Sequence, residues 1–148
     1  MRKALATAAV VTLAALSSTS ATVAQPGMAA TQAPQVKRLV LEELKSRNLG
    51  SAFVGSDTVT SARTGRVVGY EAFTSRFMPK REVVVVQTSV ALQNGTITAR
   101  VTIPLVGPPP NEFAGRILHG TGKFATIEGT ISGREGPQRT FVTLRYTL

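Results

Sequence analysis

Between residues 52 and 148 the chain alternates short β-prone runs with turn signals. The run at 82–92 is the most β-prone, and Asn94-Gly95 behind it favours a type I′ hairpin turn. Proline cannot donate to a strand ladder, so Met78-Pro79-Lys80-Arg81 is expected to interrupt the sheet. Thr64-Gly65 is expected to form a two-residue turn, and residues 107–111 a rigid loop. The pattern predicts seven strands, at residues 53–63, 66–77, 82–92, 96–104, 113–119, 124–134 and 138–148.

Three sequence motifs carry a family resemblance. Gly65-Arg66-Val67-Val68-Gly69 is similar to a Gly-x-Val-Val-Gly hairpin, and Gly120-Thr121-Gly122-Lys123-Phe124 to a Gly-Gly-Thr-Gly-Lys/Arg-Phe/Tyr segment. Thr143-Leu144-Arg145-Tyr146 is similar to a closing strand. In this order and spacing, the motifs resemble the allene oxide cyclase and dirigent superfamily, as an exported bacterial member. The resemblance covers residues 36–148 and implies a small eight-stranded antiparallel barrel.

The segment at residues 36–49 is ambiguous by pattern alone. Val36, Val40 and Leu44 are spaced for one face of a helix, whereas Leu39-Val40-Leu41 is typical of a strand. With the barrel resemblance, we predict a strand, which brings the count to eight. The expected fold is all-β: a single eight-stranded antiparallel up-and-down barrel of the calycin-like kind. Eight strands leave room for packed side chains or one small ligand.

Residues 1–24 have the features of a secretory signal peptide. Arg2 and Lys3 form a positive start, residues 4–16 are apolar, and Thr22-Val23-Ala24 is a small-residue exit. The apolar run is shorter than the roughly 20 residues that a membrane span needs. We expect a secreted or extracytoplasmic protein, cleaved after Ala24 and without an integral membrane span, although an uncleaved anchor is an alternative. Residues 25–35 are then a flexible leader, and residues 36–148 the barrel domain.

The inventory of reactive residues is small. The sequence has one histidine, no cysteine and no tryptophan, which excludes a disulfide framework, a Cys/His metal site and a cysteine nucleophile. A Ser-His-Asp triad would have to join His119 to Asp57, and no nucleophile-elbow motif accompanies them. No metal and no cofactor is therefore expected. The formal net charge of +9 comes from scattered single residues with few aromatics among them, so we expect no nucleic-acid partner.

Candidate catalytic residues are those that could donate a proton or polarise a substrate. Glu71 shares a strand face with Phe73 and Phe77, so it either lies in a pocket with a partner such as Arg100 or lies on the surface. His119 replaces the first glycine of the family's turn motif and could transfer protons near neutral pH, or be a partly exposed turn residue.

Glu128 stands where dirigent-like members carry an arginine that the resemblance implies is a substrate contact. It is either a desolvated acid inside the barrel or a solvated residue opposite Ile127 and Ile131. The predicted site comprises catalytic and substrate-binding candidates: Glu71, Glu128, His119 and Tyr70 for catalysis, Arg100 for substrate binding, and Phe73 and Phe124 as pocket walls.

The family resemblance implies catalysis by shape. Its members fold a flexible, reactive, polyunsaturated substrate into one productive conformer and shield it from water. We therefore expect a cofactor-independent cyclase or isomerase acting on a polyketide-like or other small apolar molecule, with family members often homodimers or homotrimers. The alternative is a non-catalytic secreted barrel that binds a small apolar ligand or acts at the cell surface. A third possibility is adhesion to an anionic polymer through the basic surface.

Overall fold

The computed structural model describes residues 32–105 and 111–148. The predicted signal peptide, most of the predicted leader and residues 107–110 of the predicted rigid loop lie outside these ranges. No helix within the described ranges is long and apolar enough to cross a membrane. The described chain forms eight strands: β1 (Gln35–Asn48), β2 (Ala52–Ser61), β3 (Val67–Met78), β4 (Val83–Leu92), β5 (Gly95–Pro104), β6 (Glu112–Gly120), β7 (Glu128–Glu135) and β8 (Thr140–Thr147).

The strands close into one antiparallel barrel in sequence order. Each strand pairs with the next, and β1 pairs with β8, with Leu39 opposite Val142. The predicted all-β, eight-stranded, up-and-down barrel is therefore confirmed, and the ambiguous first segment is a strand. Closure gives every strand two partners, which removes the exposed edges of an open sheet.

The core fills the barrel because alternate residues of every strand point inward. The largest of the fully buried side chains are Val59, Leu39, Ile97 and Leu144, each no more than 2% exposed. They come from β2, β1, β5 and β8 and belong to one continuous hydrophobic core.

Two sequence predictions are wrong in detail. The seventh strand begins at Glu128 rather than at residue 124, because Gly122–Phe124 forms a short 3-10 helix first. Gly122 has a φ of 58°, a conformation that a residue without a Cβ adopts without strain. The connection between β2 and β3 spans residues 62–66 rather than a two-residue turn, with the amide of Gly65 donating to the carbonyl of Ser61.

Side chains close one end of the barrel, the Phe124 end. Phe124 is buried there and packs edge-on against Tyr146, with 6.2 Å between the ring centroids. The Lys37 ammonium lies 5.8 Å from the centroid of the Phe124 ring. The amide of Lys123 donates to the carbonyl of Asn94 over 2.8 Å, which ties the 3-10 helix to the β4–β5 hairpin. Space inside the barrel therefore lies toward the opposite end.

Candidate functional site

A cavity of about 420 Å³ lies in the half of the barrel opposite the Phe124 end. Its polar lining comes from β1, β2, β3, β4 and the end of β7 with the connection into β8, and its apolar walls come from strands all round the barrel. The main apolar wall residues are Leu41, Phe73, Val86, Val101, Ile131 and Val142. The polar and charged lining residues are Glu43, Asp57, Glu71, Thr88, Glu135, Gln138, Arg139 and Thr140.

Glu71 is the most deeply buried charged residue of this cavity. It lies on the inward face of β3 with Phe73 and Ser75, and only 6% of its surface is exposed. The hydroxyl of Thr88, on the neighbouring strand β4, donates a hydrogen bond to Glu71 Oε1. Among the described residues, the other oxygen, Oε2, has no hydrogen-bond partner. A buried carboxylate oxygen without a donor is costly, and such groups often mark a functional site.

Asp57 lies beside Glu71 on the next strand. The register of β2 and β3 places Asp57 directly opposite Glu71, and both side chains line the cavity. Asp57 Oδ1 is also buried and has no hydrogen-bond partner within residues 32–105 and 111–148. On the other side, the register of β1 and β2 pairs Asp57 with Glu43. Three neighbouring strands thus present a row of carboxyl groups to one cavity.

Burial, followed by repulsion from a neighbouring carboxyl group, raises the pKa of both Glu71 and Asp57. The pKa of Glu71 rises to about 7, mainly because burial disfavours its charged form, with a further contribution from the negative charge of Asp57. The hydrogen bond from Thr88 acts in the opposite direction and lowers the pKa of Glu71. Burial, followed by repulsion from Glu43, raises the pKa of Asp57 above its ordinary value. Glu71 therefore exchanges its proton near neutral pH, where acid–base catalysis is most efficient.

The Thr88 hydrogen bond gives a direct test of this electrostatic account. Replacing Thr88 with valine removes the donor that favours the charged form, so the pKa of Glu71 is expected to rise above its wild-type value of about 7. The titration of the Glu71 carboxyl carbon, followed by NMR, measures this shift. Thr98→Val is the matched control, because Thr98 is also buried but its hydroxyl lies 3.2 Å from that of Ser89 instead. An unchanged Glu71 pKa in Thr88→Val would contradict the account.

The structure brings two of the predicted site residues, Glu71 and Phe73, into the cavity wall. The Phe73 ring packs edge-on against that of Phe53, with centroids 5.7 Å apart. Phe124 is buried as a wall residue, but at the other end of the barrel. It therefore does not share a cavity with Glu71.

The other four predicted site residues lie on the outer surface, and their functional roles stay predictions. Tyr70 is 60% exposed, and His119 and Glu128 are exposed as well. Glu128 is on the outer face because Ile127 and Ile131 are both buried, which decides between the two alternatives that the sequence left open. Arg100 is exposed, and its guanidinium donates to Gln87 Oε1 over 3.3 Å. The partner of Glu71 is therefore Thr88 and not Arg100.

Sequence reasoning missed Asp57, Glu43 and Glu135 as cavity residues. Asp57 was considered only as a triad partner of His119, and the structure places His119 on the outside and Asp57 on the inside. The available signal was the spacing of Asp57 and Val59 on one strand face, which puts Asp57 on the same side as a core residue.

Within the described ranges, no group of three or more histidine, aspartate or glutamate side chains is arranged to hold a metal ion. The cavity volume falls in the range of about 300–1,000 Å³ that is typical of small-molecule sites.

No family model and no curated protein matches the sequence. Solved structures do match. A pyocyanin demethylase is 20% identical to this chain, with a TM-score of 0.61. The match covers 76% of this chain and 100% of the demethylase. A pterocarpan synthase dirigent protein is 10% identical, with a TM-score of 0.60, and the match covers 76% of this chain and 92% of the dirigent protein.

The third similar structure is a nonspecific heme-binding cyclase that catalyses a cycloaddition during neoabyssomicin biosynthesis. It is 15% identical, with a TM-score of 0.58, and the match covers 79% of this chain and 68% of the cyclase. This chain has the barrel fold of these proteins. The fold implied by the resemblance to the allene oxide cyclase and dirigent superfamily is thus confirmed by the strand order and by the dirigent protein among the similar structures. At these identities the likeness concerns the fold, and function has to be argued from the cavity.

Proposed function

We propose that the barrel binds a small, largely apolar molecule in its cavity and catalyses an isomerisation, in particular a ring closure, by proton transfer at Glu71. The observation that carries the proposal is the Glu71 carboxyl group, which is 6% exposed, hydrogen-bonded through one oxygen to Thr88 and unpartnered at the other among the described residues. Such a carboxyl group is held in place and has one oxygen free to give or take a proton.

The cavity walls supply the second part of the proposed catalysis. Phe73, Val86, Val101 and Ile131 surround the carboxyl row with apolar surface, which orients a flexible substrate and excludes water from it. A pKa of about 7 lets Glu71 act in either direction near neutral pH, as an acid when protonated and as a base when ionised. In this proposal, proton transfer and orientation are both performed by side chains that line the cavity.

The similar structures support this class of reaction. Two of them are named for a dirigent protein and for a cyclase, so this fold is used by proteins that act on small molecules. A flexible, polyunsaturated, polyketide-like substrate is the version that we propose for this chain.

The second candidate function is a non-catalytic carrier. The apolar part of the cavity lining favours it, since binding alone needs only shape and apolar contact. The buried carboxyl pair favours catalysis instead, because a carrier of apolar molecules gains nothing from two costly acidic groups in its wall.

The test uses the fact that isomerisation conserves mass. The purified protein is incubated with an organic extract of the producing cells, and the mixture is separated by chromatography with mass detection. The proposal expects one compound to be depleted and another of identical mass and different retention to accumulate. Depletion from solution with release of the unchanged compound on denaturation would show a carrier and contradict the enzyme.

We also propose that the protein is exported and cleaved after Ala24, on the strength of Arg2, Lys3 and the apolar run that follows them. The intact mass of the protein recovered outside the cell is expected to correspond to a chain that starts at Gln25. The same measurement under native conditions tests the predicted homodimer or homotrimer. A chain that keeps residues 1–24 and stays with the membrane fraction would contradict cleavage and favour the anchor.

A further inference from the structure

We propose that the cavity selects ligands in which an apolar body carries a protonated nitrogen, bound between Asp57 and Glu71. The inference names a substrate class for the site described above and so rests on the proposed function. It stands on three observations: the distribution of charge, the unpartnered carboxyl oxygens, and the apolar walls around them.

The cavity concentrates negative charge in a basic protein. The chain has eight acidic residues against seventeen lysines and arginines. Four of the eight acidic residues line the cavity: Glu43, Asp57, Glu71 and Glu135. Arg139 is the one basic residue in its described lining, and its Nε lies 2.9 Å from Oε1 of Glu42. The cavity therefore attracts cations although the protein as a whole repels them.

Two buried oxygens in this cavity lack a donor. Glu71 Oε2 and Asp57 Oδ1 have no hydrogen-bond partner among the described residues, and their strands hold the two residues directly opposite each other. An ionised carboxylate can only accept hydrogen bonds, so it needs N–H or O–H groups from a ligand. An ammonium group offers several donors and a positive charge from a single atom.

Other ligand chemistries satisfy the site less well. A neutral hydroxyl group offers one donor and no charge, so it leaves one carboxyl group unpaired. A carboxylate or phosphate would add a negative charge to a cavity that already holds four acidic side chains. The remaining lining, including Phe73, Val86 and Val101, is apolar and suits the body of the ligand.

Protonation of Glu71 competes with binding of a cation. The charged groups that face Glu71 are Asp57 from β2, Glu43 from β1, and Glu135 and Arg139 from the β7–β8 end, while β4 contributes the neutral Thr88. The acidic groups favour the protonated form of Glu71 in the free protein, whereas the positive charge of a bound cation favours the ionised form and draws the proton off. In such a complex Glu71 works as the base of the proposed proton transfer.

The experiment compares three probes of nearly equal size: naphthylmethylamine, naphthylmethanol and naphthoate. Each is titrated calorimetrically into the wild-type protein, Glu71→Gln, Asp57→Asn and the control Glu112→Gln. Glu112 is exposed on the outside of the barrel, so its replacement changes the net charge equally without touching the cavity. At pH 8 the amine is expected to bind about tenfold more tightly than the alcohol, and naphthoate more weakly than both.

The variants and the pH dependence identify the carboxyl groups as the cause. Glu71→Gln and Asp57→Asn are expected to bring the affinity for the amine close to that for the alcohol, while Glu112→Gln behaves as the wild type. Only about one tenth of a group with a pKa of about 7 is ionised at pH 6, so binding of the amine weakens about tenfold from pH 8 to pH 6. Binding of the alcohol should not change over this interval.

The outcomes separate this inference from the proposed function. Equal affinity for amine and alcohol, or tighter binding of naphthoate, overturns the cation preference while leaving a working ligand cavity. Preferential binding of the amine that survives both cavity variants also overturns it, because the charge would then act from elsewhere. If none of the three probes binds the folded protein, the cavity is not a ligand site, and both the inference and the proposed function fail.

Discussion

The contribution of Glu71 to the free energy of unfolding is expected to fall by about 3 kcal/mol as the pH rises from about 4.5 to about 7. Burial raises the pKa of this carboxyl group in the folded state, so between these values the folded protein binds more protons than the unfolded chain. Stability therefore decreases with rising pH across this window and levels off above it. The stabilising effect is fully present below the unfolded pKa and is lost once Glu71 ionises inside the barrel.

Urea unfolding of the wild type and of Glu71→Gln at several pH values between 4 and 8.5 measures this contribution. Glutamine keeps the shape of the side chain and can still accept the hydrogen bond from Thr88. The difference in unfolding free energy between the two proteins should change in favour of Glu71→Gln as the pH rises. Glu112→Gln, which alters an exposed residue, should follow the wild-type curve. A difference that is constant with pH would show that Glu71 is not desolvated in the folded state.

The strand order of this protein could be predicted from local sequence because its signals are local. The β4–β5 hairpin and the interruption at Pro79 depend on a few neighbouring residues, and both occur close to their predicted positions, although the two turn residues are Gln93 and Asn94 and Gly95 begins β5. The start of β7 could not be predicted in the same way. The Gly122–Phe124 helix is held by long-range contacts, with Lys123 bonded to the β4–β5 hairpin and Phe124 packed on Tyr146.

The candidate site was only partly predictable, because register is a long-range property. Alternation along β3 puts Glu71 and Phe73 on one face, but it does not say which face is inward. The pairing of Asp57 with Glu71 depends on the connection at residues 62–66 and on an irregularity between Val59 and Thr60. A slip of one residue would turn Asp57 to the outside, so no local pattern could establish the carboxyl pair.

The surface position of the family-derived candidates follows from the same physics. Ile127 is buried, and Glu128, the next residue in the chain and the first of β7, points to solvent. The carboxyl group that faces the cavity in this barrel comes instead from β3, with a second from β2. Motif position therefore points to the outer face of the sheet, whereas the carboxyl groups that line the cavity lie on its inner face.

Glu71→Gln is expected to lower the rate of the proposed isomerisation by about 10²–10⁴-fold, the usual contribution of a positioned proton-transfer group. The physical reason is that glutamine cannot exchange a proton near neutral pH, whereas the Glu71 carboxyl group has a pKa of about 7. The measurement is the rate at which the compound of identical mass accumulates from the compound that the cell extract supplies. In the wild type this rate should also change with pH around 7, and in Glu71→Gln it should not.

The control for this prediction is binding without catalysis. The neutral probe naphthylmethanol should bind Glu71→Gln as it binds the wild type, since Phe73, Val86 and the other apolar walls are unchanged. Loss of kcat at saturating substrate, with retained binding of this neutral probe, assigns Glu71 to the chemical step, because the weaker binding expected for a cationic substrate changes KM instead. A variant that keeps the wild-type rate would instead show that orientation by the walls suffices. In that case the buried carboxyl group would act in ligand selection alone, together with Asp57 opposite it on β2.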